Sequence, residues 1–131
     1  MNRRIAALLL LPLLLAIPAA RDAQQTGASR WAGQWTSPTG FLYLAEMRLE
    51  IGPGGAAEGA ITWTLAQSPR ESELPKLGQK GVEYVRGRYD AASRVLALEG
   101  YRKEDPLAVI GLDTYRLLLA ENGLALAGMT S

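Results

Sequence analysis

Apolar and polar residues alternate with a period of two along much of the chain after residue 30, which is the pattern of β-strands with one buried face. In the run 41–51, Met47, Leu49 and Ile51 share one face, and charged residues lie between them. In the run 59–66, large apolar residues alternate with threonine, and both kinds of residue favour strands. Both runs predict half-buried β-strands.

Turn residues separate seven such runs and predict how they connect. The runs cover 31–36, 41–51, 59–66, 82–89, 94–101, 107–119 and 124–130. Asn122-Gly123 is the strongest short hairpin signal, and Gly52-Pro53-Gly54-Gly55 is a hairpin turn, since it lacks the Lys-Ser or Lys-Thr of a phosphate-binding loop. Short connections favour antiparallel pairing of successive strands. The sequence therefore predicts an all-β fold, an antiparallel meander of about seven strands in a closed or partly closed barrel, with a β-sandwich as the alternative.

The run 67–81 is the longest polar stretch of this region. Pro69 and Pro75 disfavour a regular helix there. We expect a surface loop, and loops of this length in compact domains are often functional.

The first 20 residues follow a different pattern. A basic start, Met1 to Arg4, precedes an apolar run over 5–17 and then small residues, which is typical of an export signal. The run is too short to cross a bilayer core of about 30 Å. We therefore expect residues 1–20 to be a signal peptide, 21–30 a flexible lead, and 31–131 one periplasmic or extracellular domain with no membrane span.

Composition excludes several classes of function. The chain has no histidine and no cysteine, so it lacks the usual catalytic triads and zinc ligands. After residue 20 it carries 12 basic and 13 acidic residues, which gives no case for binding nucleic acid. Glu46, Glu83, Glu99 and Asp113 remain as candidate catalytic carboxylates, but we expect them to face solvent. We therefore predict no catalytic residue, no cofactor and no metal.

Two groups of residues are candidates for binding. Arg86 and Arg88 share a strand face with Tyr84, where they either bind an acidic group or pair with acidic residues of the neighbouring strand. Five aromatic residues fall at inward positions, where they either line a ligand pocket at a barrel mouth or fill the interior. These ligand-binding candidates are Trp31, Trp35, Trp63, Tyr89 and Tyr115.

The residues Gly33-Gln34-Trp35, at the start of the first predicted strand, resemble the Gly-x-Trp of lipocalin-like and avidin-like barrels, the calycin superfamily. The resemblance implies an up-and-down antiparallel barrel that binds a small, often apolar ligand or inhibits a protease. It also implies that Arg116 packs across Trp35.

Together these features predict an exported, non-catalytic binding domain for a small apolar ligand or a protein partner. Two alternatives remain open. One is a small hydrolase that uses carboxylates, and the other is an envelope structural or interaction protein whose contact is the 67–81 loop.

Overall fold

The strands of this protein form one closed antiparallel barrel in the computed structural model, which describes residues 6–12 and 28–131. Each strand pairs with the next along the chain, and the first pairs with the last. The strands are β1 (Ala6–Pro12), β2 (Ala28–Thr36), β3 (Leu42–Ile51), β4 (Ala56–Gln67), β5 (Lys80–Asp90), β6 (Val95–Glu104), β7 (Thr114–Leu119) and β8 (Leu126–Thr130). The predicted all-β antiparallel meander is confirmed, and closure of the barrel excludes the β-sandwich.

Strand β1 raises the number of strands from the predicted seven to eight, and it lies inside the expected signal peptide. It pairs with β2 from Ala7 opposite Thr36 to Pro12 opposite Trp31, and with β8 on its other side. Leu8 is only 1% exposed, whereas Leu9 is 45% exposed. A short apolar run is compatible with both a signal peptide and a barrel strand. The apolar pattern alone therefore does not distinguish the two roles. The expected cleavage site and residues 21–27 of the lead lie outside the described residues.

Strand boundaries differ from the prediction by three residues or fewer, except at the start of β7. Strand β2 begins at Ala28, before the predicted start at Trp31. The run predicted as a strand over 107–119 is a strand only from Thr114, and residues 105–113 form an irregular segment. The carboxylate of Asp105 accepts hydrogen bonds from the backbone nitrogens of Val109, at 2.7 Å, and Ile110, at 3.0 Å. These bonds fold the segment back on itself, so it does not extend β7.

The predicted turns are confirmed. Gly52-Pro53-Gly54-Gly55 closes the β3–β4 hairpin, and Gly123, whose φ of 71° favours glycine, lies in the β7–β8 turn. The 67–81 loop is confirmed as a surface connection. It contains a short 3-10 helix, Glu71–Lys76, which accommodates Pro75 and buries none of its residues.

Apolar side chains from all eight strands fill the barrel interior. The buried cluster consists of Leu8, Trp31, Ala45, Met47, Leu49, Ala57, Ile61, Trp63, Val85, Leu96, Leu98, Tyr115, Leu117 and Leu126. Each of these residues is at most 6% exposed. An eight-stranded barrel is narrow enough for side chains alone to fill it.

Candidate functional site

Three of the five predicted aromatic residues meet near one end of the barrel. Trp35 contacts Tyr43 edge to face at 5.4 Å between ring centroids, and Tyr43 contacts Trp63 in the same way at 6.2 Å. Trp63 in turn stacks on Tyr115 at 6.4 Å. Tyr43, which the sequence prediction omitted, is therefore the residue that joins this aromatic chain.

The other two predicted residues lie apart from this chain. Trp31 is buried opposite Met47, and its Nε1 donates to the hydroxyl of Ser29 at 2.9 Å. Tyr89 is half-buried near the β5–β6 turn, at the other end of the barrel. The five residues thus face inward as predicted, but they do not form one pocket wall.

A buried carboxyl group lies among these aromatic rings. Glu83 is 0% exposed and accepts three hydrogen bonds. Trp63 donates from Nε1 at 3.1 Å, the backbone nitrogen of Asp113 donates at 2.9 Å, and the hydroxyl of Tyr115 is the third donor. We call Tyr43, Trp63, Glu83 and Tyr115 the aromatic–carboxyl cluster.

The expected outward position of Glu83 is wrong. Glu83 alternates in phase with Val85 on β5, and side chains two residues apart on a strand share a face. Closure of the barrel therefore turns its carboxyl inward. On the neighbouring strand β6, Gly100 leaves room for it, because a Cβ at that position would overlap the carboxyl group. Glu46 and Glu99 are exposed as expected, and Asp113 is half-buried.

The surroundings of the aromatic–carboxyl cluster shift its titrating groups. Burial raises the pKa of Glu83, while the hydrogen bonds from Tyr115, Asp113 and Trp63 act in the opposite direction. Burial and then the charge of Glu83 raise the pKa of Tyr115. Burial, with a smaller contribution from Glu73, raises the pKa of Tyr43 to about 12. Three donors therefore pair with a carboxyl group that solvent does not reach.

Residues 105–113, which we call the end segment, lie over this part of the barrel. Val109 is 5% exposed, and Ile110 packs against the core. The hydroxyl of Tyr43 donates to the carbonyl oxygen of Val109 at 2.7 Å. Lys103 donates to the carbonyl oxygen of Ile110 at 2.8 Å and pairs with Asp105 at 3.2 Å. The end segment therefore covers the aromatic–carboxyl cluster and is held by both polar and apolar contacts.

The outer wall of the barrel carries a row of exposed side chains across five adjacent strands, apolar on four of them and interrupted by Gln34 on β2. Leu44 on β3 pairs with Gln34 on β2, Gln34 with Leu9 on β1, Leu9 with Ala127 on β8, and Ala127 with Leu118 on β7. The three leucines are 45–51% exposed. Four strand spacings give the row a length of about 19 Å along the curved wall, which is half the way around the closed eight-stranded barrel. We call Leu44, Leu9, Ala127 and Leu118 the outer apolar row.

Met129 widens this surface. It follows Ala127 by two residues on β8, so it lies on the same face, and it is 48% exposed. Contiguous exposed apolar surface on a small domain marks a contact site for another molecule more often than scattered single residues do.

Arg86 and Arg88 on the outer wall already make contacts within the barrel. Arg86 pairs with Glu99 of the neighbouring strand at 3.1 Å and lies over the ring of Tyr101, and Arg88 donates to the carbonyl oxygen of Gly54 at 2.8 Å. Of the two interpretations of Arg86 and Arg88, pairing with the neighbouring strand is thus confirmed for Arg86.

The contact implied for Arg116 is wrong. Arg116 is exposed on the outer face of β7, next in sequence to the buried Tyr115, whereas Trp35 faces inward. Alternation along β7 places the guanidinium on the opposite side of the barrel wall from the indole. Trp35 instead donates from Nε1 to the hydroxyl of Thr130 at 2.8 Å.

Within residues 6–12 and 28–131, no group of three histidine, cysteine, aspartate or glutamate side chains is arranged to hold a metal ion. In the same part of the chain, no helix has the length and apolar character needed to cross a bilayer.

The sequence carried a signal for both residues that the prediction missed. Tyr43 is in phase with Met47 and Leu49, and Glu83 is in phase with Val85, so period-two alternation alone places both inside. The charge of Glu83 favoured a solvent-exposed position in the prediction, since carboxylates are seldom buried unless they are paired.

A scan against protein-family models, a search of curated proteins and a search of solved structures each found no match to this chain.

Proposed function

We propose that this protein is an exported, non-catalytic binding domain whose partner is another protein. The observation that carries the proposal is the part of the outer apolar row that lies outside the expected signal peptide on adjacent strands, Leu118 and Ala127, with Met129 beside them. Protein contacts commonly use a contiguous apolar surface with a polar rim. Beside this surface the barrel wall offers a polar residue in Arg116, which is exposed and lies opposite Met129.

The state of the interior supports a protein partner over a small apolar ligand. Side chains that line an open cavity are accessible to water-sized probes, but Trp63, Tyr115 and Glu83 are at most 5% exposed. A ligand in the barrel would have to displace the end segment or core side chains. The eight-stranded meander is compatible with the calycin-like resemblance, and the burial of Trp63, Glu83 and Tyr115 supports a protein partner rather than the small ligand that the resemblance implies.

The buried position of Glu83 supports a non-catalytic function. A hydrolase with two carboxyl groups needs both of them in contact with its substrate. Glu83 is enclosed, and Glu99 is paired with Arg86 on the outer wall.

Site-specific photo-cross-linking of the exported protein tests this proposal. A photoreactive amino acid replaces Leu118 in the outer apolar row, Leu74 in the 67–81 loop, or Glu99 on the outer face of β6. Leu118 and Leu74 are 51% and 50% exposed, so these two sites are matched for access. We expect adducts of protein mass from position 118 and none from positions 74 and 99. The cross-linking is carried out in intact exporting cells.

Other outcomes contradict the proposal. Adducts from position 74 alone would favour the loop as the contact surface. An environment-sensitive apolar dye that saturates at one site, raises the melting temperature and is lost in a folded Trp63→Ala variant would favour a small ligand instead. Turnover of ester, glycoside or peptide substrates that Glu83→Gln abolishes would favour the hydrolase.

A further inference from the structure

Residues 6–12 have two roles that exclude each other in one molecule. The sequence predicts that export removes them, whereas the structure uses them as β1, the strand that closes the barrel between β2 and β8. In a chain that begins near residue 21, the closing strand is missing, and the facing edges of β2 and β8 lose their partner.

The place of β1 is a defined slot. Its two walls are β2 and β8, and two strand spacings separate them by about 10 Å. At the inner face Leu8 lies between Trp35 of β2 and Gly128 of β8. The hydrogen bond from Trp35 to Thr130 joins the two walls directly, so this link does not depend on β1.

We propose that the slot in the processed protein is filled by an extended strand of a protein partner. This inference rests on the proposed export and deepens the proposed protein-binding function. Unpaired strand edges readily accept an added strand, whose backbone supplies the affinity and whose alternate side chains supply the specificity.

The residues that occupy the slot here define the chemistry of that strand. The strand runs antiparallel to both walls and spans the six pairs that β1 makes with β2. At the position of Leu8 it carries a large aliphatic residue, because that side chain is 1% exposed in the core. At the position of Leu9 it carries an apolar residue, which restores the outer apolar row.

The lead of the processed chain lacks these features. The segment Arg21-Asp22-Ala23-Gln24-Gln25-Thr26-Gly27 contains no large aliphatic residue that would replace Leu8. Joining β2 to β8 directly would shrink an interior that is already filled by side chains from the other strands, and overpacking of a core is destabilising. A strand from another molecule avoids both difficulties.

The test uses the complete chain expressed in an exporting bacterial host. Protein recovered from the periplasm or medium is first characterised by intact mass, which we expect to place its N-terminus near residue 21. The probe is a synthetic peptide with the sequence of residues 6–12, flanked by lysines for solubility. The matched control peptide carries aspartate in place of the leucine that corresponds to Leu8.

We expect the probe peptide to bind one to one, to shift the emission of the adjacent Trp35 and to raise the melting temperature. It should also slow amide exchange in β2 and β8 but not in β4. The aspartate peptide should bind at least about tenfold more weakly, because the inserted charge would be buried without a partner.

Two results would overturn the inference, and they differ from failure of the proposed outer-face contact. Recovered protein that retains residues 6–12, whether exported or not, would mean that the slot is never open. Processed protein whose β2 and β8 amides are already protected, and which binds neither peptide, would mean that the chain closes the slot itself. In that second case, cross-linking from position 118 still decides the outer-face contact independently.

Discussion

Replacing Glu83 by alanine should destabilise the barrel far more than replacing any outward-facing carboxylate. The variant leaves three donors without an acceptor: Nε1 of the buried Trp63, the hydroxyl of the buried Tyr115 and the backbone nitrogen of the half-buried Asp113. An orphaned buried donor costs about 1–3 kcal/mol. Even at the lower end of that range the two buried donors together cost about 2 kcal/mol, against a typical free energy of unfolding of about 5–15 kcal/mol.

Urea melts of Glu83→Ala and Glu99→Ala measure this difference. Glu99 is a matched control on the neighbouring strand, because its side chain and that of its partner Arg86 are each 58% exposed. An exposed ion pair contributes about 0–1 kcal/mol, so Glu99→Ala should change stability little. A loss below about 1 kcal/mol for Glu83→Ala would refute the assignment of Glu83 as the acceptor that these donors require.

The pH dependence of stability provides a second measure of the same group. Burial raises the pKa of Glu83 above its ordinary value of 4.5, so the folded state holds this proton at pH values where the unfolded state has released it. The stabilising contribution of Glu83 is therefore complete below pH 4.5 and declines as the pH rises through the folded-state pKa.

Comparison with Glu83→Gln isolates this effect, since glutamine does not titrate. The stability of the natural protein relative to Glu83→Gln should fall as the pH rises from acidic values towards neutrality. An increase over that range would mean that the pKa of Glu83 is lowered and that the three hydrogen bonds outweigh burial.

Further predictions concern the walls and the end of the barrel. Trp35→Phe, which removes the hydrogen bond to Thr130, should cost about 0.5–1.5 kcal/mol in urea melts, and adding Thr130→Val should cost little more because the bond is already lost; fully additive losses would contradict the link. Asp105→Asn should speed thermolysin cleavage within the end segment, because the carboxylate holds the backbone nitrogens of Val109 and Ile110, and an unchanged cleavage rate would show that apolar contacts alone hold the segment. Far-ultraviolet circular dichroism of the processed protein should show a β-rich spectrum, and a helical content of about one third or more would contradict the barrel.

Local patterns in the sequence are enough to predict the class of the fold and most of its strands. Period-two alternation and turn residues are local properties, so runs such as 41–51 and the Asn122-Gly123 hairpin were predictable without knowing what lies opposite them. The inward positions of Trp31, Trp63 and Tyr115 followed from the same alternation. Where alternation conflicted with residue type, as at Glu83, alternation gave the correct face.

Contacts between distant parts of the chain determine the features that the sequence did not predict. Glu83 is tolerated inside because its donors come from residues 20, 30 and 32 positions away, and no local pattern contains that information. Residues 107–113 were predicted as part of a strand, but the turn around Asp105 holds them over the barrel end. The sequence of residues 6–12 is typical of an export signal. These residues form a strand because β2 and β8 each offer an edge with which they pair. The apolar pattern of a segment predicts that one of its faces is buried. Which other segments cover that face is decided by the tertiary structure.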